Sequence, residues 1–277
     1  MFKKNFFLLL PLIIVVFLLL PRNENSPLPP PSPTATASPV PSPTPRPLSF
    51  SEMNQLYGPC LYLPVLLYHH IQDPEIAKAN RQTSITVTTA VFKQQLHYLS
   101  ERGYKTVLPA EIATFFDSGT VLAGKNILLT FDDGYQDFYD NALPLLKEYG
   151  FKALVFLPTG LMDNTGYLSW GEVQIAAAYG ISFGNHTWSH KSVLQNLEII
   201  EKELSLADSQ LAEKGLNQLK VFAYPYGGIN NSAVDYLRKL NYGLAFTTRP
   251  GSVLCRQQRM TLPRIRVGNS PLSAYGL

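Results

Sequence analysis

Hydrophobic positions follow two unlike patterns along the chain. Near the N-terminus, Phe6 to Leu20 is almost wholly apolar, interrupted only by Pro11. After Leu61, short apolar runs alternate with amphipathic stretches. Val65-Leu66-Leu67-Tyr68 reads as a strand running into His69-His70. Thr88 or Thr89 opens a helix with Phe92, Leu96 and Leu99 on one stripe. Tyr104 to Leu108 predicts a strand and Ala110 to Phe116 a short helix. Ile127-Leu128-Leu129, stopped by Gly134, reads as a buried strand of a parallel sheet. A helix follows around Ala142 to Tyr149, ended by Gly150, and then a strand from Ala153 to Leu157. Ser169-Trp170-Gly171-Glu172 has capping-box spacing and opens a helix that stops at Gly180. Ile181 to Phe183 is a short strand, Leu194 to Lys214 a long amphipathic helix, and Val221 to Ala223 another strand. Asn230 or Asn231 caps a helix to Leu240, with strands at Leu244 to Thr247 and Leu262 to Val267. Strands and helices alternate about seven times, which predicts an α/β barrel-like fold with parallel strands.

The N-terminal run stands apart from that domain. Lys3 and Lys4 precede it, and at about 1.5 Å per residue it spans roughly 22 Å, short of the usual ~30 Å hydrocarbon core. Basic residues before an apolar segment suit a signal peptide or an anchor with its positive end inside. No small-x-small pattern follows Leu20, so residues 1–22 are read as an uncleaved signal anchor; secretion after cleavage is the alternative. Pro27 to Pro47 contains ten prolines among 21 residues, so residues 23–48 read as an extended spacer. A PxxP ligand is the other use of such a stretch. The globular domain is then 49–277.

Composition refines this picture in two places. The 277 residues are 45% hydrophobic, enough for a full core. The net charge of +3 belongs to the tail, because residues 49–277 carry 19 basic and 19 acidic side chains. No basic run points to nucleic acid. The two cysteines, Cys60 and Cys255, lie near the ends of the domain and form either a disulfide or two separate buried thiols.

Four predicted strand ends carry polar clusters: His69-His70, Asp132-Asp133, His186-Thr-Trp-Ser-His190 and Tyr224-Pro225-Tyr226. A parallel barrel gathers such ends on one face. Asp132-Asp133-Gly134 alone suits an ordinary solvated turn. His186 and His190 are four apart, the separation that puts two imidazoles on one side of a helical turn. With one carboxylate they make a three-ligand site for a divalent metal. Thr187 stands where a zinc protease needs Glu, which argues against that chemistry.

Thr130-Phe131-Asp132-Asp133-Gly134-Tyr135, His186-Thr187-Trp188-Ser189-His190 and Tyr224-Pro225-Tyr226-Gly227 resemble the first three motifs of the polysaccharide deacetylases, the NodB-homology carbohydrate esterases. The resemblance covers roughly Leu61 to Val267. It implies a distorted (β/α)7 barrel and removal of acetyl groups from N-acetylglucosamine polymers, or for some members from xylan. It also implies that Asp133, His186 and His190 hold the metal and that Asp132 is the general base. The backbone N–H of Tyr226 would complete the oxyanion site.

Two departures appear. Ala223 stands where the common third motif has Arg, and no His follows His190 to act as the late general acid. Tyr68-His69-His70-Ile71 looks like the permuted subgroup containing poly-β-1,6-N-acetylglucosamine deacetylases. There the His after the Tyr has the acid role, here His69, leaving His70 as a structural or supporting group. Leu262-Pro263-Arg264 also resembles that subgroup, with Arg264 orienting Asp132, although a surface ion pair explains Arg264 or Arg266 equally. Tyr135, Trp170, Trp188 and Tyr224 are candidates to line a sugar groove, Tyr135 and Trp188 being within site motifs. The expectation is a monomeric, membrane-anchored, extracytoplasmic deacetylase using Zn²⁺, with Co²⁺ or Ni²⁺ possible. Rival substrates are peptidoglycan, chitin oligomers and xylan; the rival class is a non-catalytic, metal-retaining glycan-binding module.

Overall fold

The computed structural model describes residues 46–277, and Pro47–Leu277 form one compact unit. The expected anchor and most of the spacer lie outside the described residues. Among the described residues, no helix is long and apolar enough to cross a membrane.

An eight-stranded parallel sheet organises the unit. Its strands are β1 (Val65–Tyr68), β2 (Tyr104–Thr106), β3 (Lys125–Phe131), β4 (Leu154–Leu157), β5 (Ser182–Asn185), β6 (Val221–Ala223), β7 (Leu244–Phe246) and β8 (Ile265–Arg266). The spatial order is β7-β6-β5-β4-β3-β1-β8, with β2 paired to the first half of β3. The sheet curls, so its last segment meets its first. Leu262 donates to the Ala245 carbonyl and accepts from Thr247 N–H, both at 2.8 Å, while Ile265 pairs with Leu66 of β1. The stretch from Leu262 to Arg266 therefore touches both edges.

The strands are buried over most of their length, as parallel strands covered by helices must be. Alternate residues feed different clusters. Leu66, Tyr68, Leu129, Phe131, Val155 and Leu157 pack with Phe92, Leu96 and Leu99 of the helix Thr89–Glu101. Val65, Leu128, Leu154, Phe156, Val221 and Phe246 pack on the opposite side with Ile112, Phe115 and Phe116.

The helices start where side chains can take up free backbone N–H groups. Thr88 accepts from Val91 N–H, Asn230 from Ala233 N–H, and Ser169 with Glu172 forms the expected capping box. Several expected boundaries move. The long helix is Leu197–Glu213, beginning at the Asn196 cap, and the helix expected at Ala110 is Pro109–Ser118. The strand expected over Leu262 to Val267 shrinks to β8, because Pro263 has no N–H and Arg264 donates its own to the Arg249 carbonyl. Before the helix Leu143–Tyr149 the chain makes a π-turn, Phe138–Ala142.

Outside the main sheet, Cys60–Tyr62 pairs antiparallel with Val253–Cys255, placing Cys60 opposite Cys255. The two are disulfide-bonded across a sequence separation of 195 residues. Closing a loop that long restricts the unfolded chain by up to about 5 kcal/mol in the loop-entropy picture. Replacing both cysteines by alanine should lower the unfolding free energy by much of that amount, read as a lower urea midpoint with a steeper slope because the freed unfolded chain exposes more surface; an unchanged unfolding free energy would show that the bond adds no stability.

Candidate active site

The site grows from the end of β3. Asp132 N–H still donates to the Tyr68 carbonyl of β1 at 3.0 Å, so the first carboxylate leaves a fixed backbone. Asp133 then turns left-handed at φ 75°, followed by Gly134 at φ 62°. Left-handed backbone is uncommon for a residue with a Cβ, and here it directs the two neighbouring carboxylates to different partners. A side chain at Gly134 would be strained at this φ, and its Cβ at 2.8 Å from Leu157 Cδ2 would force that side chain to shift.

Asp132 faces Arg264. Nη1 and Nη2 donate to its two oxygens, each at 2.7 Å, in the bidentate fork that suits a carboxylate. The guanidinium has no exposed surface, and each of its nitrogens donates: Nε to the Thr247 carbonyl and Nη1 also to Thr130 Oγ1. Arg266 is exposed, so the ambiguity between the two arginines resolves to Arg264. Burial pushes the Asp132 carboxyl up, but Arg264 outweighs it and holds the pKa below the ordinary value.

Asp133 faces two imidazoles. His190 Nε2 lies 3.0 Å and His186 Nε2 3.2 Å from its Oδ1. One ligand atom from each residue falls within a 4.8 Å cluster. His186 Nδ1 lies 2.7 Å from the Ala223 carbonyl, an acceptor, so Nδ1 carries the proton. In neutral His186 the Nε2 lone pair then points at an anionic oxygen, and Asp133 Oδ1 is buried without a conventional hydrogen-bond donor. A proton or a cation must sit between them. Burial raises the Asp133 carboxyl, whereas His186 and His190 pull it well below its usual value. Two imidazole nitrogens and a carboxylate oxygen are a donor set that fits a divalent cation.

The histidine loop is not the expected helical turn. His186 follows β5 directly, and Thr187 and His190 are left-handed at φ 63° and 59°. Asn185 Oδ1 accepts Thr187 N–H, and the buried Glu203 accepts both N–H and Oγ–H of Ser189. These side chains impose the loop shape, and the spacing of four is incidental to any helix. Glu203 escaped the sequence reading. Its signal was a carboxylate on the buried stripe Ile200, Leu204, Ala207 and Leu211 of its helix.

The remaining candidates divide. His69 is half-buried beyond β1; burial pushes its imidazole down while Asp132 and Asp133 act in the opposite direction. His70 turns away and is buried, with Nδ1 at 2.6 Å from Asp137, as a supporting group should be. Tyr226 is left-handed at φ 60°, largely exposed, and its ring stands 4.7 Å from that of His190. Tyr135 stacks on His70, and burial together with the nearby Asp133 charge pushes its phenol up. Trp188 packs over Gly160, where a Cβ would meet the indole at 2.5 Å. Tyr224 lines no groove: it is buried and donates to the Met260 carbonyl. Trp170 packs against the core, under Lys214.

Comparison with known proteins decides the family. The polysaccharide deacetylase family model matches residues 120–245. A Bacillus subtilis (strain 168) protein named as a polysaccharide deacetylase, YxkH, is 30% identical over 207 residues, covering 74% of this chain and 71% of that protein. The chain belongs to the polysaccharide deacetylase family. It is similar to the poly-β-1,6-N-acetyl-D-glucosamine N-deacetylase of Escherichia coli (strain K12), 27% identical over 249 residues and 74% of this chain, but spans only 36% of that relative's length. Among solved structures, the Streptococcus pyogenes deacetylase PplD in complex with acetate superposes with a TM-score of 0.69 at 29% identity, covering 76% of this chain and 94% of PplD. The curled sheet described above is thus the fold of a polysaccharide deacetylase.

Because Arg264 is wholly buried with its partner, removing it leaves a carboxylate unpaired in the interior. Arg264→Met should cost about 3–5 kcal/mol, read as a lowered urea midpoint at neutral pH. A loss within about 0.5 kcal/mol, as for surface substitutions, would contradict the pairing.

Proposed function

We propose that this polysaccharide deacetylase is metal-dependent and acts outside the cytoplasm on N-acetylglucosamine residues, a β-1,6-linked polymer being favoured. The observation that carries the reading is the division of adjacent carboxylates between unlike partners, Asp132 with Arg264 and Asp133 with His186 and His190. The name of the Escherichia coli relative supports the linkage. The Cys60–Cys255 disulfide supports an oxidising compartment, and Lys3-Lys4 before Phe6–Leu20 supports an anchored N-terminus.

Asp133, His186 and His190 would hold the cation; Zn²⁺ suits this set, and Co²⁺ or Ni²⁺ is tolerated. When bound, such a cation polarises an acetyl carbonyl and lowers the pKa of a water toward about 7. Asp132 accepts the proton of the attacking water. Arg264 occupies one lone pair on each carboxylate oxygen and leaves another available, while keeping the group ionised. The Tyr226 N–H stabilises charge developing on the acetyl oxygen. His69 gives a proton to the departing amine; burial lowers its pKa and so works against the charged imidazole, while the Asp132 and Asp133 charges work to keep it protonated.

Acetate release from β-1,6- and β-1,4-linked N-acetylglucosamine oligomers, with and without Zn²⁺, tests this reading. Zinc-dependent release preferring the β-1,6 oligomer, reduced at least about 10²-fold in His69→Ala, is expected. Preference for the β-1,4 oligomer would transfer the substrate to chitin or peptidoglycan. Zinc binding without release from any acetylated polymer would favour a glycan-binding module. The pH profile gives a second check. Arg264→Lys keeps the charge but loses the fork, so the Asp132 pKa rises and the acid limb of kcat/KM moves to higher pH. An unmoved limb would deny Asp132 the role of base.

A further inference from the structure

A further ionisable pair, a buried histidine and a partly buried aspartate, stands beside the site and is used by none of the steps above. His70, 3% exposed, directs Nδ1 to Asp137 Oδ2 at 2.6 Å. The other oxygen of the same carboxylate accepts the Ile71 N–H at 3.0 Å, and Asn141 Nδ2 donates to the Ile71 carbonyl at 2.7 Å. Asp137 immediately precedes the π-turn Phe138–Ala142 and Asn141 lies within it, a local widening that recurs at functional sites. From there the two side chains engage both backbone polar groups of one residue, as a neighbouring strand would.

That residue is two positions after His69. On its other side, Tyr68 is fixed in β1, paired with Phe131 and accepting from Asp132 N–H. His70 also stacks flat on Tyr135, with ring centroids 3.7 Å apart and planes 17° apart. Tyr135 in turn lies in the field of Asp133. The backbone of His69 is therefore held from both directions. Nε2 of His70 has no hydrogen-bond partner, so the contact of Nδ1 with Asp137 is the ring's polar tie.

The geometry points to Asp137, acting through His70 and Ile71, as a positioning residue for His69. The inference rests on the reading of His69 as proton donor. Without Asp137 the short strand His70–Gln72 keeps its parallel pairing with Thr86–Thr88 but loses two ties on its other edge, and displacement of a reacting group by about 1 Å can cost on the order of 10²-fold in rate.

The test uses the full chain, acetate release and a double-mutant cycle. Asp137→Ala should lower kcat about 10–100-fold, with KM and zinc affinity (by chelator competition) each within about 3-fold of the parent. Asp137→Asn, which can still accept from Ile71 N–H, should recover part of the loss. In a His69→Ala background, Asp137→Ala should lower kcat no further, because a residue acting through His69 has nothing left to position. Should Asp137→Ala not fold, Asn141→Ala removes one hydrogen bond and should show a smaller loss with the same non-additivity. Additive losses in the His69→Ala background, or parental kcat with only a lowered melting temperature, would overturn the inference and leave a packing role. A parent that releases no acetate, or a fully active His69→Ala, would instead overturn the reading beneath it. An impaired His69→Ala beside an unimpaired Asp137→Ala would overturn this inference alone.

Discussion

The buried pair of Asp132 and Arg264 is the interaction on which the site depends. Two adjacent carboxylates in an apolar sheet cannot both remain charged without compensation, since each ion loses several kcal/mol of hydration. Arg264 compensates the first through two 2.7 Å hydrogen bonds, and the imidazoles of His186 and His190 stand ready to share a cation with the second. The curl of the sheet brings this about. Arg264 lies in a segment that bonds to both β7 and β1, so the curl of the sheet brings the guanidinium to Asp132.

Around that pair, loops are held by side chains that mimic missing backbone partners. Asn185 and Glu203 shape the histidine loop, and Asp137 with Asn141 ties one edge of the short strand His70–Gln72 that follows β1. Each is fully or partly buried. A polar side chain that is buried and satisfied by loop backbone rigidifies the loop, because the cost of leaving either group unpaired opposes its opening.

Much of this was legible in the sequence. The alternation of apolar runs announced parallel strands, and the strand-end clusters at Asp132-Asp133, His186 to His190 and Tyr224 to Tyr226 announced a site. What escaped depends on long-range geometry. The histidine spacing suggested a helical turn, but left-handed Thr187 and His190, pinned from a distant helix, give a loop. Arg264 and Arg266 were indistinguishable as letters; one faces inward only because Pro263 and the bond to Arg249 end the regular pairing there. The pairing of Cys60 with Cys255 waited on a two-stranded register that spans nearly the whole domain.

The central claim is that neighbouring carboxylates divide the work, Asp133 toward a cation and Asp132 toward a proton. Zinc affinity and turnover measured on the same preparations of Asp132→Asn and Asp133→Asn test it most directly. The account predicts that Asp132→Asn keeps zinc affinity within a few-fold and loses turnover by about 10²-fold or more, while Asp133→Asn loses zinc affinity itself. Loss of zinc by Asp132→Asn, or full turnover in it with zinc bound, would contradict the account.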